Sequence, residues 1–247
     1  MQKKLITQII IGVVLYLVST GLSYAGFSLM MGKEITTVSP LAKTNKQSGF
    51  KVDLTAPKTE ICPLNGGKFT KAEKDIWGIR RPIAAMIENH AESRPPSGLS
   101  RADVVYEAVA EGGITRYMGV FYCGAAAKAM TIAPVRSSRI YFITWAQEYG
   151  EEPIYMHVGG ANNICLTCPD GIKSSGMVSS KVMAIEYLSG LGWRRAGGND
   201  FDTTFDLGAP VFIRNPDRLD HEVATEHTMM VFLDEAWKVA EKRGLGA

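Results

Sequence analysis

Arginine side chains recur beside the short apolar segments of this sequence, and they are the residues best suited to chemistry. A guanidinium group binds phosphate or carboxylate through two parallel hydrogen bonds, and it is costly to bury without a partner. Each of these arginines lies at a predicted strand end or loop, where the sites of layered α/β proteins gather. We therefore expect an anion-binding site formed by Arg94, Arg116, Arg136 and Arg139, with Asn89 and Ser137 as further ligand-binding residues.

Carboxylates and imidazoles near the same segments offer acid–base chemistry. Glu88, Glu107 and Glu111 are either ion-pair partners of the arginines or general acids and bases, and His90 and His157 are candidate proton carriers. The other interpretation is structural, because charged residues at strand ends often form internal salt-bridge networks. The sequence leaves both interpretations open, and it identifies no nucleophile.

Motifs for common cofactor and metal chemistry are absent from the sequence. There is no G-x-x-x-x-G-K-[ST] loop, no G-x-G-x-x-G after a strand, no H-E-x-x-H and no G-x-S-x-G. His221 and His227 flank Glu222 and Glu226, but this spacing matches no common metal site. We therefore expect neither a bound metal nor a cofactor.

Short apolar runs mixed with amphipathic segments must position these residues. Buried or half-buried strands are predicted at 82–87, 102–109, 115–122, 154–158 and 210–213. Helices are predicted at 70–77, 140–149, 179–188 and 233–243, the first with Thr70 and Glu73 as a capping box. Residues 224–230 are ambiguous. This mixture predicts an α/β or α+β domain, built as a layered mixed sheet with flanking helices.

Four cysteines leave three fates open. Cys165 and Cys168 form a C-x-x-C motif, which suits zinc or a redox pair in a cytosolic protein and a disulfide in an exported one. No second C-x-x-C or histidine pair lies at zinc-finger spacing. Disulfides, a metal site and free thiols all remain possible, and the pairing with Cys62 and Cys123 cannot be deduced from the sequence.

The N-terminal segment predicts where the protein works. Residues 5–32 carry no charge and follow Lys3 and Lys4, and about 20 apolar residues suffice to cross a bilayer. The basic flank predicts a single-pass membrane helix with a cytoplasmic N-terminus and an extracytoplasmic C-terminal domain. A cleaved signal peptide remains an alternative, since Ser23, Tyr24 and Ala25 form a small-x-small triplet. Residues 33–60 have the composition of a linker.

Charge balance argues against bulk electrostatic binding. Of the 27 basic residues, Lys3 and Lys4 precede the predicted linker, which leaves 25 beside the 25 acidic residues. A neutral exported part predicts no general attraction to nucleic acid or to an anionic membrane surface. We expect the membrane to be a partner only through the N-terminal helix, and any anion to bind by local clustering of charge.

Several segments in order resemble the YerB family of bacterial envelope lipoproteins. The resemblance covers residues from about 62 to 245 and rests on specific motifs. These motifs are 80–90 (RRPIAAMIENH), 94–107 (RPPSGLSRADVVYE), 111–116 (EGGITR), 134–139 (PVRSSR), 157–160 (HVGG), 199–200 (ND) and 224–228 (ATEHT). It implies an envelope protein whose biochemical function is unknown.

The resemblance also implies a domain organisation. Residues 61–198 correspond to a YerB-like N-terminal domain, and residues 199–247 correspond to the start of a C-terminal region that we expect to be truncated here. The sequence departs from the family in carrying a hydrophobic run where members commonly have a lipid-modified cysteine. Ala133 stands where glycine is usual, and Ser138 where alanine is usual.

Three functions remain open from the sequence. The leading hypothesis is a membrane-anchored domain that binds an anionic envelope ligand, a glycan phosphate or a lipid pyrophosphate, through the arginines. The second is a hydrolase or transferase that acts on envelope polymers with glutamate and histidine as acid–base groups. The third is a non-enzymatic scaffold or interaction module, in which the charged residues form one structural network without an open cleft.

Overall fold

The computed structural model describes residues 11–19, residue 21 and residues 55–247. Residues 11–19 are helical with exposed side chains. Within these described ranges, no helix has the combination of length and apolar character needed to cross a membrane. Most of the predicted membrane segment and of the predicted linker lies outside them. The chain divides into two units between Lys46 and Gln47, and the fold below concerns the second.

In the described residues of this second unit, ten strands form three sheets. The strands are β1 (Glu60–Ile61), β2 (Lys68–Phe69), β3 (Ile83–Glu88), β4 (Val104–Glu111), β5 (Ile114–Phe121), β6 (Thr131–Ile132), β7 (Ile154–His157), β8 (Asp200–Asp202), β9 (Phe212–Arg214) and β10 (Met229–Phe232). The main sheet has the order β4-β5-β3-β7-β8, antiparallel from β4 to β3 and parallel from β3 to β8. A smaller antiparallel sheet has the order β6-β10-β9, and β1 pairs with β2.

Four α-helices accompany the sheets: α1 (Lys71–Trp77), α2 (Ile140–Ala146), α3 (Ala184–Gly190) and α4 (Leu233–Lys242). The predicted capping box at the start of α1 is confirmed, since Thr70 and Glu73 satisfy each other's backbone N–H groups. The ambiguous segment 224–230 splits into a short 3-10 turn, Thr225–His227, and the first residues of β10. Mixed sheets with flanking helices make this an α+β fold, as predicted.

Strand β3 is the centre of the core because it is covered on both faces. All six of its residues are buried, which explains the uninterrupted apolar run in the sequence. Ile83, Ala85 and Ile87 face one hydrophobic cluster, and Ala84 and Met86 face the other. This alternation follows from the two-residue period of a strand. Glu88 ends the strand and is the one charged residue in it.

The two clusters use different elements. On one face of the main sheet, α4 packs with the smaller sheet through residues that recur at helical spacing, Leu233, Ala236, Trp237 and Ala240. On the other face, α2 and α3 contribute Phe142, Ile143, Ala146, Ala184, Ile185 and Leu188. Residues 199–247, assigned above to the start of a further region, supply β8, β9, β10 and α4 to these same layers.

All four cysteines form disulfides. Of the three states that the sequence left open, the structure therefore shows the disulfide. Cys62–Cys123 joins the turn after β1 to the segment after β5 and is buried beside Ile76 and Trp77 of α1. Cys165–Cys168 closes the C-x-x-C turn within the loop between β7 and α3. The first bridge therefore fastens the β1–β2–α1 segment to the main sheet.

Replacing Cys62 and Cys123 together by serine is expected to destabilise the fold strongly. The bridge spans 61 residues, and the lost restriction of the unfolded chain corresponds to about 4 kcal/mol. The same change at Cys165 and Cys168, only three residues apart, should cost about half as much. Urea unfolding followed by circular dichroism measures both. An equal loss in the two double variants would contradict this account of the long bridge.

Candidate functional site

A polar cleft opens where β3 ends beside the β4–β5 hairpin. Its volume is about 200 Å³, and its walls also include residues of the segments that follow β6 and precede β10. Glu88, the last residue of β3, lies directly opposite Arg116 of β5 in the sheet register. The lining residues are Glu88, His90, Ala110, Glu111, Ile114, Thr115, Arg116, Arg136, Glu226 and His227. Five of them belong to the residues predicted from the sequence.

Arg116 and Arg139 share the carboxylate of Glu111. The Arg116 Nη2 atom lies 3.3 Å from Glu111 Oε1, and Arg139 Nη2 lies 2.8 Å from Glu111 Oε2. Their remaining Nη1 atoms donate to the backbone carbonyls of Ser137 and Ser138, each at 2.8 Å. Burial favours a raised pKa for Glu111, but Arg139 and Arg116 hold that pKa below its ordinary value.

Arg116 is the deepest charge of the cleft. Only 4% of its side chain is exposed, and its Nε atom has no hydrogen-bond partner in the part of the chain that the structure describes. Burial lowers the pKa of Arg116, and the nearby positive charge of Arg139 lowers it further, while Glu111 opposes both. A buried guanidinium with a free donor favours an additional negative partner.

Glu88 connects the arginines to a histidine that the sequence analysis did not select as a proton carrier. Glu88 Oε2 accepts a hydrogen bond of 2.6 Å from His227 Nδ1. Glu88 Oε1 lies 2.9 Å from Arg136 Nε, an ion pair in which the N–H is not directed at the oxygen. The carboxylate is 5% exposed and the imidazole 7%. Because a carboxylate can only accept, Nδ1 carries a proton, and in the neutral imidazole the lone pair is then on Nε2.

His90 stacks on His227 at the edge of the cleft. Their ring centroids are 5.0 Å apart and the ring planes differ by 13°. His90 Nδ1 accepts a 3.3 Å contact from the backbone N–H of Glu92 in the short 3-10 turn that follows β3. Two imidazoles and two arginines, Arg116 and Arg136, thus meet around one opening, together with the carboxylates of Glu88 and Glu111.

Arg94 belongs to a neighbouring polar group and does not line the cleft. Its Nε donates to Asn89 Oδ1 at 3.0 Å. Asn89 Nδ2 in turn donates to Thr115 Oγ1 at 2.7 Å and to Glu107 Oε1 at 3.2 Å. Ser137 contributes its backbone carbonyl to Arg116. The structure therefore places Arg116 and Arg136 in the lining of the cleft, joins Arg139 to Arg116 through Glu111, and leaves Arg94, Asn89 and Glu107 beside them.

His157 lies in a sealed charge cluster away from the cleft. It is completely buried, and its Nε2 lies 2.6 Å from Asp200 Oδ1. Arg194 Nη1 contacts Asp200 Oδ2 at 2.8 Å and Asp202 Oδ2 at 3.0 Å. With His157 protonated, two positive and two negative charges balance. This burial removes His157 from contact with a ligand in the cleft, and its place at the ends of β7 and β8 makes it a structural partner of those strands.

Sequence reasoning missed His227 as a functional candidate for a specific reason. Its partner Glu88 is 139 positions away, so no local motif joins them. The only signal was the segment 224–228, which entered the analysis through the family resemblance and as part of a rejected metal spacing. Asp200, Asp202 and Arg194 were likewise invisible as one cluster, because the parallel pairing of β7 with β8 brings them together.

Comparisons with known proteins agree with this fold. A family model described as "Protein of unknown function (DUF3048) N-terminal domain" matches residues 70–245. A curated protein of Bacillus subtilis strain 168, named "Putative lipoprotein YerB", is 46% identical over 105 residues, which are 42% of this chain and 29% of that protein. The crystal structure of YerB from Bacillus subtilis is similar with a TM-score of 0.51 and 28% identity, over 75% of this chain and 50% of that one. The chain thus spans half or less of the length of the relatives it matches.

The charge cluster around His157 predicts a characteristic pH dependence. Burial lowers the pKa of His157, but Asp200 and Asp202 outweigh burial and raise that pKa above its ordinary value of 6.5. The stabilisation is therefore complete below the pKa of the unfolded state and is lost as pH rises through the higher folded pKa. Urea unfolding of the wild type should show this loss on the alkaline side.

His157→Gln is expected to lower the unfolding free energy by about 3–5 kcal/mol near neutral pH, since it leaves the buried aspartates with one cation. The difference in unfolding free energy between wild type and variant should become smaller as pH rises through the pKa of His157 in the folded state. His221→Gln is the matched control, because His221 is half exposed and lies outside the cluster. A gap that stays constant with pH would contradict the proposed protonation.

Proposed function

The chain belongs to the DUF3048 family of proteins of unknown function, because residues 70–245 match the N-terminal domain of that family. Since the family has no known function, we propose one from the geometry of the cleft. The cleft binds a small anionic group of the cell envelope, such as the phosphate of a glycan or the pyrophosphate of a lipid carrier. The observation that carries this proposal is that Arg116 and Arg136 both line one opening, while Arg139 stands behind it and shares the Glu111 carboxylate with Arg116.

The charge balance of this network supports an anionic ligand. Each of the three guanidinium groups pairs directly with Glu88 or Glu111, and because Glu111 is shared by two of them, these five groups keep a net charge of +1. The carboxylate of Glu226 is at the exposed rim, and its pKa is lowered first by a hydrogen bond with its own backbone and to a smaller extent by neighbouring cations such as Arg136. The buried Nε of Arg116 has no hydrogen-bond partner among the described residues, so this guanidinium is incompletely compensated. A phosphate group with two negative charges would compensate this excess positive charge and accept hydrogen bonds from the guanidinium groups.

The size of the cleft limits what enters it. A volume of about 200 Å³ is below the about 300–1,000 Å³ typical of pockets for drug-sized ligands. A phosphate-bearing head group fits, while the glycan or lipid to which it is attached would remain outside. An open cleft also favours a ligand over the scaffold hypothesis, which expects the charged residues to form a closed network.

Two independent features support an envelope location. Two disulfides are typical of proteins that fold in an oxidising compartment outside the cytoplasm. The Bacillus subtilis relative is named as a lipoprotein, and membrane attachment of this chain through its N-terminal segment would give it a corresponding position. We propose an extracytoplasmic domain held at the membrane.

Inorganic pyrophosphate is a suitable first probe of the cleft. The full chain, purified in detergent, is expected to bind it in isothermal titration calorimetry. Arg136→Met should weaken the affinity at least about tenfold, because a charge-assisted hydrogen bond contributes about 1.5–3 kcal/mol. The affinity should also fall with added salt, since part of Arg136 is exposed.

Arg101→Met is the matched control for this experiment, because Arg101 is exposed and remote from the lining of the cleft. Circular dichroism of each variant shows whether the fold is retained, and Arg136→Lys, which keeps the charge, should recover part of the affinity. Equal affinity in the wild type and Arg136→Met, or no binding by the wild type, would refute the proposal.

A second candidate function is favoured by the contact between Glu88 and His227. A histidine whose Nδ1–H is held by a carboxylate presents Nε2 as a general base, and this arrangement is common in acid–base catalysis. In the cleft it would activate water or a hydroxyl group for attack on a phosphate ester. The domain would then be a hydrolase or transferase of envelope polymers, with Arg116 and Arg136 holding the phosphate.

Bis(p-nitrophenyl) phosphate tests this second candidate. Turnover by the wild type, followed as release of p-nitrophenol, should fall by about 10²–10⁴-fold in His227→Gln. Pyrophosphate binding should persist in that variant, because the arginines remain. His221→Gln should retain full turnover. A wild type that binds pyrophosphate but releases no p-nitrophenol would exclude the catalytic function and leave the binding function standing.

A further inference from the structure

Three side chains at the edge of the cleft offer metal ligands in one place. One ligand atom each from His90, Glu92 and His227 lie within 4.8 Å of one another. His90 and Glu92 come from the segment after β3, and His227 comes from the turn before β10. We propose that these residues bind a divalent transition metal ion, a site that the spacing of residues in the sequence did not predict.

The environment of His227 supports this assignment most directly. A histidine that binds a metal usually donates its other ring N–H to a carboxylate, which fixes the tautomer and the ring orientation. His227 Nδ1 donates to Glu88 at 2.6 Å, and Glu88 is itself held by Arg136 at 2.9 Å. The unprotonated Nε2 then lies 3.7 Å from Glu92 Oε2. Two ligands of a tetrahedral zinc ion are about 3.3 Å apart, so a small closure suffices.

The other two ligands are able to make this closure. The side chain of Glu92 is 61% exposed, and His90 is only partly buried, so both can shift while His227 stays fixed. Binding through His90 Nε2 places the proton on Nδ1 and gives up its contact with the Glu92 N–H. At 3.3 Å that contact is long for a hydrogen bond, and the loss is small.

The donor set indicates the class of metal. Two imidazoles and one carboxylate suit Zn²⁺ and neighbouring first-row ions, whereas Mg²⁺ and Ca²⁺ prefer oxygen ligands. Three protein ligands leave a coordination position open, and His90 and His227 both line the cleft. A phosphate oxygen or a water molecule would occupy that position. Only this last step rests on the proposed anion binding, and metal binding itself does not.

Metal binding changes the role of His227. The same Nε2 atom cannot serve as a metal ligand and as a general base, so the acid–base candidate and the metal site exclude each other while the ion is bound. The presence of His90 and Glu92 favours metal binding over acid–base catalysis, because a general base formed by Glu88 and His227 requires neither of these residues. Any release of p-nitrophenol should then require the ion.

Titration with Zn²⁺ tests the proposal without any anion. The full chain is purified in detergent through a tag free of histidine and cysteine, with both disulfides intact, and is treated with a chelator. Calorimetry should show one Zn²⁺ per chain and no comparable binding of Mg²⁺. Glu88→Gln keeps all three ligands and should weaken Zn²⁺ binding about 10–100-fold. His90→Gln and His227→Gln should weaken it further.

Two matched controls and a spectroscopic signal make the outcome decisive. Glu222→Gln alters an exposed side chain and should leave Zn²⁺ affinity unchanged, and His221→Gln, which removes only a 3.1 Å contact with the Glu92 carbonyl, should weaken it far less than His90→Gln. Bound Co²⁺ should show visible absorption bands that disappear in His90→Gln, a variant at a partly buried position whose fold circular dichroism can verify. No Zn²⁺ binding by the wild type, or an equal loss in His221→Gln and His90→Gln, would overturn the proposal.

Discussion

The buried carboxylate of Glu88 is the constraint on which the cleft depends. It stands at the end of a strand that is otherwise apolar, and a carboxylate in such a position must be paired to be tolerated. Its two oxygens are taken by His227 and Arg136, which come from the segment before β10 and the segment after β6. One charge thus ties two distant parts of the chain to the end of the central strand, and the cleft opens beside them.

The carboxylates around the arginines determine how much positive charge would remain to attract a ligand. Glu111 is shared by Arg116 and Arg139, so each guanidinium receives only part of a carboxylate. The backbone carbonyls of Ser137 and Ser138 satisfy further N–H groups without adding negative charge. A site that is fully neutral when empty would gain little from an anion. This one is left short of negative charge at its deepest residue, Arg116.

The elements that could be predicted from the sequence are those whose signals lie among neighbouring residues. The apolar run 82–87, the capping box of Thr70 and Glu73 and the helical spacing of 233–243 each depend on neighbouring residues, and each element is found near its predicted position. β8 is only three residues long and was missed, because its buried position comes from parallel pairing with β7. The candidate site divides in the same way. Arg116, Arg136 and Arg139 were found by residue type, whereas the contact of Glu88 with His227 depends on tertiary structure.

Two clusters in this fold share a composition and differ in access, and access separates their roles. His157 with Asp200, Asp202 and Arg194 is a histidine, carboxylate and arginine group with no exposed imidazole surface, so its charges can only stabilise one another. His227 with Glu88 and Arg136 is the same kind of group at the rim of an opening, where 7% of the imidazole and 23% of the guanidinium remain exposed. The first completes its charge balance internally. The second borders an opening, so a ligand there could contact the imidazole and the guanidinium directly, and for this reason our proposals rest on the second cluster.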